Sequence, residues 1–401
     1  MRPFDGRRVL LGVTGGIASY KSAWLARLLT KAGAEVDVVL TRSSAEFIGA
    51  TTFEALTGRV PHSSLFGAGH ALDHIRLARS ADAIVVAPAT ADFLARAVHG
   101  QADDLLTACL LATEAPVLLV PAMNDRMWAH PQVQRNVAHA RELGYAVLDP
   151  DEGMLAAGEG SGPGRMPEPE TILAHVGRQL DTGEPFNGRR VVVTAGPTRE
   201  PLDPVRYLSN RSSGRMGVAI AAAAWRRGAD VLLIAGPMSE PAPVGVATVH
   251  VETTEEMASA VRAALASADA LIMAAAPADF AAASVAEHKI KKGDGAGSIA
   301  LTPTPDILRS TRDARRPGAV IVGFALETRD ALEAGRGKLA AKELDMVVVN
   351  DATEPGAGFS VSTNRVSFVH AGGDDEHLEL MPKTEVADEI LDRVARRWRE
   401  R

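Results

Sequence analysis

Short runs of consecutive apolar residues, each closed by a turn of small or polar residues, recur along the chain and alternate with Ala- and Leu-rich stretches of helical spacing. Residues 9–13 form the first run and lead into a Gly-rich turn, and residues 35–40 form the second, just after Lys31-Ala32-Gly33-Ala34. A third, 84–87, is opened by Ser80-Ala81-Asp82-Ala83. The order then begins again. Gly188-Arg189-Arg190 leads into 191–193, as Gly6-Arg7-Arg8 leads into 9–13, and Arg226-Arg227-Gly228-Ala229 precedes the run 230–235. Ser267-Ala268-Asp269-Ala270 opens 271–274. Uninterrupted apolar strands alternating with helices predict parallel sheets covered on both faces. The fold class is therefore α/β, with two doubly wound, Rossmann-like domains of mainly parallel strands. Ligands of such sheets bind beyond the strand C-termini, so the loops there are the places to look for chemistry.

At 401 residues the chain exceeds the ~250–300 at which one core stops growing, which agrees with two domains. A Gly/Pro-rich stretch at 158–169, a helical pattern over 171–180 and a turn at 181–185 place the boundary near 181–188. The domains are thus residues 1–181 and 187–401. Apolar residues at 46% and charged residues at 23% are ordinary for a globular chain, and aromatics at 4% leave Ala, Val and Leu to fill the cores. A net charge of −7 argues against non-specific nucleic-acid binding, which needs a field of Lys and Arg. The single cysteine, Cys109, excludes a disulfide framework or a Cys-based zinc site within the chain. No apolar run approaches ~20 residues and the N-terminus lacks a signal-type pattern, so no membrane span and a cytoplasmic location are expected.

In the first half, Val13-Thr14-Gly15-Gly16-Ile17-Ala18-Ser19-Tyr20-Lys21 joins a strand to a helix, where small residues let backbone N–H groups approach an anion. It is neither G-x-G-x-x-G nor a P-loop, and a plain tight turn fits it equally well. His74 in Asp73-His74-Ile75-Arg76-Leu77, the run Ala87-Pro88-Ala89-Thr90-Ala91-Asp92, and Pro121-Ala122-Met123-Asn124-Asp125-Arg126-Met127 follow at or near strand ends. Together these segments resemble the homo-oligomeric flavin-containing cysteine decarboxylases over nearly all of residues 1–180, and Pro-Ala-Met-Asn is the most specific of them. The resemblance implies a flavoprotein-type domain with FMN across a subunit interface, contacted by Gly15, Ser19, Ser43 and Thr90. It implies His74 as catalytic acid/base, Asn124 as the holder of the substrate carboxylate with Met123 and Arg165 beside the substrate, and 158–165 as a flap. Many relatives carry a proton-donating cysteine in that flap. Counting back from Gly162-Pro163-Gly164-Arg165, this chain has Gly158 there, with Ala157 beside it, so either another acid serves or the reductive step differs. Cys109 lies in the apolar helical pattern 105–111 and reads as core.

In the second half, residues 194–217 pack several hydroxyls, an Asn and several Arg into one loop after a strand, among them Arg206-Tyr207-Leu208-Ser209-Asn210-Arg211-Ser212-Ser213-Gly214. Small hydroxyl residues and Gly214 before a helix over 216–225 suit an anion at a helix start, whereas the compact three-glycine turn of a dinucleotide dehydrogenase is missing. The loop resembles the phosphopantothenate–cysteine ligase signature. The resemblance resumes at Ala274-Ala275-Ala276-Pro277-Ala278-Asp279-Phe280, Lys289-Ile290-Lys291-Lys292, Thr304-Pro305-Asp306-Ile307-Leu308, Gly323-Phe324-Ala325-Leu326-Glu327-Thr328, Lys338 with Lys342, and Asn350-Asp351. Pro277 and Ala281 depart from the Val and Arg common there, which touches pocket detail. The resemblance implies a ligase-type domain with Mg²⁺ and CTP, the nucleotide being bound by Ala275, Asp279, Lys289, Pro305, Asp306, Ile307, Leu308, Phe324, Lys338 and Lys342. Asn210 and Lys289 would be catalytic, and Arg206 would meet substrate phosphate or carboxylate; no protein ligand to the metal is predicted. A lysine run is otherwise a solvated surface.

The two resemblances imply a bifunctional enzyme of coenzyme A biosynthesis. Its ligase half would join 4′-phosphopantothenate and cysteine, and its flavin half would decarboxylate the 4′-phosphopantothenoylcysteine so made. A homo-oligomer with trimeric flavin domains and dimeric ligase domains is expected. Two other readings stay open at the level of sequence: an NAD(P)-dependent oxidoreductase, and a working ligase fused to a non-catalytic scaffold.

Overall fold

The computed structural model describes residues 3–66, 71–155, 158, 160–181, 185–291, 298–327, 330–351, 358 and 361–401. Ala157, Lys292 and Thr328 of the motifs above lie outside the described residues. The chain divides into two compact units, Met1–Thr182 and Gly183–Arg401.

The first unit is built on a parallel sheet. In spatial order its strands are Glu35–Leu40, Arg8–Val13, Ala83–Ala89, Val117–Pro121 and Ala146–Val147. Side chains alternate between the two faces of a strand, so one apolar run feeds two cores. Val9, Leu11 and Val13 join the helices Ser19–Lys31 and Pro169–Leu180 in one cluster. Leu10 points the other way, into a cluster with Leu77, Phe93, Leu106 and Val137 from four helices on the opposite face.

The second unit carries an eight-stranded sheet in the order Ala247–His250, Asp230–Ala235, Arg190–Ala195, Ala270–Met273, Val320–Glu327, Met346–Asp351, Ser367–His370 and Glu376–His377. The first six strands are parallel, and the last two add antiparallel pairs at one edge. Both sheets are therefore the mainly parallel, doubly wound kind that the apolar runs predict.

The internal echo in the sequence has a physical counterpart. Arg8 N–H donates to Asp82 Oδ2 at 2.8 Å, and Arg190 N–H donates to Asp269 Oδ2 at the same 2.8 Å. The preceding arginine, Arg7 or Arg189, pairs with the other oxygen of that aspartate. In each unit the aspartate of Ser-Ala-Asp-Ala thus ties the start of the first strand to its neighbour.

Each strand order reverses once, which fixes where loops splay apart and leave a crevice. In the first unit that point lies between Arg8–Val13 and Ala83–Ala89. In the second it lies between Arg190–Ala195 and Ala270–Met273, where Pro197 and Ala276 form an isolated bridge.

Candidate active sites

At the first reversal the turn after Arg8–Val13 meets the loops after the two adjacent strands. Gly15 lies so close to the next loop that a Cβ there would come within 2.3 Å of Ser43 Cβ, and a Cβ on Gly16 would stand 3.8 Å from Thr90 Cγ2. Thr14 Oγ1 accepts from Thr90 N–H at 3.2 Å and donates to Pro88 O at 2.8 Å, pinning the loops together. Thr90 caps the helix Ala91–Val98 by accepting from Phe93 N–H. Gly15, exposed Ser43 and Thr90 are thereby brought to one crevice. Ser19, the fourth expected contact, turns its hydroxyl inward. Its side chain is fully buried and donates to Gly16 O at 2.6 Å and Thr14 O at 3.0 Å, so it braces the turn from inside.

His74 opens the helix Asp73–Ser80, and its Nδ1 is buried without a hydrogen-bond partner among the described residues. A buried polar atom left unpaired is costly unless a ligand or water completes it. A reversal point with a close glycine and a helix start suits the phosphate of a flavin mononucleotide, and the unpaired His74 nitrogen of the same unit is a polar atom that a ligand would complete.

Asn124 caps the short helix Asp125–Trp128, accepting from Arg126 N–H at 2.9 Å. Against it leans the hairpin Asp151–Met154/Ser161–Arg165. Met123 N–H donates to Gly164 O at 3.0 Å, and a Cβ on Gly164 would sit 2.2 Å from Met123 O at a left-handed φ of 141°. The expected flap is therefore a docked hairpin. Arg165, on its outgoing strand, pairs with Glu168, which also binds Lys21 Nζ at 3.1 Å. Gly158 is exposed near the hairpin tip. Cys109 is fully buried, and burial followed by the charges of Asp104 and Asp73 pushes its thiol up to about 12. It is a core residue.

At the second reversal a cavity of about 510 Å³ gathers residues scattered over half the unit. Asn210 lines it, together with Ala275, Asp279, Pro305, Asp306, Ile307, Leu308, Phe324, Lys338 and Lys342 of the expected nucleotide contacts. The Ala274–Asp279 segment is held by side chains from below: Thr194 Oγ1 accepts from Ala275 N–H and Thr198 Oγ1 from Ala278 N–H. Asn210 turns its amide onto the carbonyls of Ala276 and Pro277, at 3.1 and 3.0 Å. Lys338 Nζ donates to Phe324 O, and Lys342 pairs with Asp306 at 2.9 Å. Partial burial alone would raise the Asp306 carboxyl, but the Lys342 pair, the Arg309 N–H and the Lys338 charge together hold it below its usual range.

Two predicted residues stand apart from the cavity lining. Lys289 is exposed. Arg206, expected on substrate, sets its guanidinium on buried Asp203, with Nε at 2.9 Å, and on Ile290 O at 2.6 Å. Asp203 accepts from Val205, Arg206 and Ile290 N–H as well, and Arg206 above all holds its carboxyl far below the ordinary range. This knot fixes the segment that carries Lys289.

The cavity also contains residues that the sequence reading did not assign: Arg215, Asn350, Asn364 and Lys383 among them. Asn350 sits inside a motif already quoted. For Lys383 the available signal was a cation at the start of a helix, where the backbone dipole disfavours it. Among the described residues no cluster of three or more His, Cys, Asp or Glu could hold a metal ion, and no helix is long and apolar enough to cross a membrane.

Comparison with known proteins assigns both units. Residues 2–181 match the Flavoprotein family model, and residues 186–397 match the DNA/pantothenate metabolism flavoprotein C-terminal domain. The chain is 42% identical over 396 residues to the coenzyme A biosynthesis bifunctional protein CoaBC of Bacillus subtilis, covering 98% of this chain and 97% of the relative. It is 46% identical over 404 residues to the CoaBC protein of Mycolicibacterium smegmatis, covering 97% of each. Among solved structures, the C-terminal domain of a CoaBC protein is similar at 36% identity, covering 54% of this chain and 98% of that chain, with a TM-score of 0.47. The FMN-dependent cysteine decarboxylase SpaF is similar at 38% identity, covering 40% of this chain and 90% of that chain, with a TM-score of 0.35.

Proposed function

The chain belongs to the family of bifunctional coenzyme A biosynthesis proteins, and we propose from that premise how its two sites divide the chemistry. The protein is a phosphopantothenate–cysteine ligase and a phosphopantothenoylcysteine decarboxylase on one chain. CTP-dependent ligation of 4′-phosphopantothenate with cysteine proceeds through an acyl cytidylate, and FMN-dependent decarboxylation then gives 4′-phosphopantetheine. Neither the dehydrogenase nor the scaffold reading is favoured by relatives that match over the whole length.

The ligase reaction has two displacements. A carboxylate oxygen of 4′-phosphopantothenate attacks the α-phosphorus of CTP, and pyrophosphate leaves with the electron pair of the broken P–O bond. The cysteine amine then attacks the acyl carbon and expels CMP. Such steps need fixed cations and donors around the phosphates more than a covalent nucleophile. Lys338 and Lys342 supply positive charge at the cavity, Phe324 lines the nucleotide pocket, and Asp279 contacts the nucleotide. Asn210, steadied by the Ala276 and Pro277 carbonyls, holds the acyl group. Lys289 adds charge from the segment clamped by Asp203 and Arg206. Mg²⁺ enters with CTP and is held mainly by phosphates and water. The convergence of Asn210, Asp279, Asp306, Phe324, Lys338 and Lys342 on one cavity carries this assignment.

In the flavin unit, Gly15, Ser43 and Thr90 hold FMN at the strand reversal, with Ser19 stiffening the turn. Bound FMN would take two electrons from the substrate thiol, giving the departing carboxylate's electrons somewhere to go, and would return them after CO₂ leaves, so that 4′-phosphopantetheine is released with no net oxidation. His74, with its unpaired Nδ1, moves the proton, while Asn124 and Met123 hold the carboxylate end. The docked hairpin closes over them and excludes water, with Arg165 on its outer strand. Exposed Tyr20 and Trp24, one turn apart on the helix Ser19–Lys31, support a homo-oligomer, since neighbouring exposed apolar residues mark contact surfaces. Trimeric flavin domains, dimeric ligase domains and a cytoplasmic setting complete the reading.

Incubation with 4′-phosphopantothenate, cysteine, CTP and Mg²⁺, followed by mass spectrometry, tests it. The expected products are CMP, pyrophosphate, CO₂ and 4′-phosphopantetheine, from a yellow protein with FMN-like absorbance. Accumulation of 4′-phosphopantothenoylcysteine without CO₂ release would reduce the first unit to a scaffold.

A further inference from the structure

We propose that Glu200 is a positioning residue of the ligase reaction, a buried carboxylate that sets the spacing between the acyl-holding Asn210 and the nucleotide-contacting Asp279. The proposal rests on the reading of the cavity as the ligase site.

Glu200 lies beneath the cavity rather than in its wall, and it is 5% exposed. Its Oε1 accepts two hydrogen bonds from Thr254, one from the backbone N–H at 2.9 Å and one from the hydroxyl at 2.8 Å. Thr254 opens the helix Thr254–Leu265, where negative charge is favoured, which offsets the cost of burying a carboxylate. The Thr254 hydroxyl stands 2.9 Å from that of Thr198, and Thr198 Oγ1 accepts from Ala278 N–H at 2.9 Å. Both threonines are buried.

A carboxylate only accepts, and each hydroxyl has a single proton to donate. These two facts fix the direction of the whole chain. Thr254 donates to Glu200, its nearer acceptor, in preference to Ala278 O at 3.3 Å. Thr198 then donates to Thr254 and is left to accept from Ala278. Hydrogen bonds aligned head to tail polarise one another. The backbone N–H just before Asp279 is thereby anchored to a charge through two side chains.

The backbone of Glu200 leads to the other reactant. The strand Arg199–Pro201 pairs with Tyr207–Ser209, which sets Glu200 opposite Leu208 and Arg199 opposite Ser209, the residue before Asn210. Ser209 Oγ also donates to Thr198 O at 2.7 Å. Thr304 draws the 304–308 segment into the same frame, its hydroxyl donating to Ala278 O at 2.6 Å and its N–H to Asp279 O at 3.0 Å. The first displacement needs a carboxylate oxygen of 4′-phosphopantothenate in line with the α-phosphorus of CTP. Asn210 holds one partner and the Asp279 turn holds the other, so their mutual placement depends on what joins the two loops. A misplacement of about 1 Å can cost about 10²-fold in rate. Glu200 touches neither reactant and transfers no proton.

The test uses full-length Glu200→Ala and Glu200→Gln, with single-turnover formation of the acyl cytidylate in the absence of cysteine and calorimetric binding of CTP. Glu200→Ala is expected to slow acyl cytidylate formation about 10²-fold, while CTP binds at wild-type stoichiometry and within about threefold of wild-type affinity. A loss of folded protein would appear in the stoichiometry instead. Gln offers the same acceptor oxygen and is expected to recover most of the rate. Thr198→Val cuts the chain at its other end, and combining it with Glu200→Ala should add little to the slower single variant. The proposal is overturned by an unchanged rate in Glu200→Ala, by a loss of CTP affinity as large as the loss of rate, by no recovery with Gln, or by multiplying effects in the double variant. If Glu200→Ala binds CTP at reduced stoichiometry, Thr198→Val against Thr198→Ser decides: a slow Val variant with Ser near wild type upholds the chain, and equal rates overturn it. Failure of the cavity assignment itself has a different signature. CTP binding that survives both Phe324→Ala and Lys338→Met moves the nucleotide elsewhere, and the Glu200 proposal falls with it.

Discussion

Asp203 and Arg206 show how two side chains can fix a segment distant in sequence. Asp203 draws in three backbone N–H groups and a guanidinium, and one of those N–H groups belongs to Ile290, next to Lys289. The knot gives an exposed lysine a fixed base. Lys289→Gln is expected to lower CTP-dependent ligation about 10–100-fold with flavin content unchanged, measured by CMP release. Ligation at the wild-type rate would make that lysine a surface residue. Asp306 makes a different prediction. Its folded pKa lies below the ordinary 3.8, so its pairing stabilises the protein above that value and is lost as pH falls through the lowered one. Asp306→Asn is expected to flatten this part of the acid limb in denaturant midpoints, with the variant least different from wild type at the lowest pH. Residues that share a contiguous motif, such as Asp279 or Phe324, were legible in the sequence because the motif fixes where the backbone goes. Which hydrogen bond a side chain makes was not legible. Ser19 and Arg206 sit in the right loops yet turn onto the protein's own carbonyls and carboxylate.

Among elements, the hairpin Asp151–Met154/Ser161–Arg165 most clearly connects backbone conformation to catalysis. Gly164 lets it lie directly on the Met123–Asn124 turn, at a φ that L side chains rarely adopt. Gly164→Ala is expected to cost about 1–3 kcal/mol of docking and to raise the KM for 4′-phosphopantothenoylcysteine, leaving FMN retention intact. An unchanged KM with full decarboxylation would show that the hairpin does not cover the substrate. The long parallel strands were readable because continuous Val, Leu and Ile runs have few other uses. The strands Ala146–Val147, Thr363–Asn364 and Glu376–His377 were not, because two residues carry no periodicity. That limit explains why Asn364 and Lys383 escaped notice: a ladder too short to see brings them together.

For the whole molecule, each unit has its own apolar clusters and its own strand reversal, so the two activities are separable by substitution. His74→Asn is expected to slow CO₂ release by about 10²–10⁴-fold while CTP-dependent ligation continues. Loss of both together would contradict two independent sites. Both reactions handle free thiols, as cysteine enters one and an aminothiol leaves the other. The protein's own sulfhydryl, Cys109, is sealed in the first core with its thiolate form suppressed. Mixed disulfides between catalyst and product therefore have no starting point on the native chain. Storage in air with a thousandfold excess of cystine should add no half-cystine mass to the folded protein, and the adduct should appear only after denaturation.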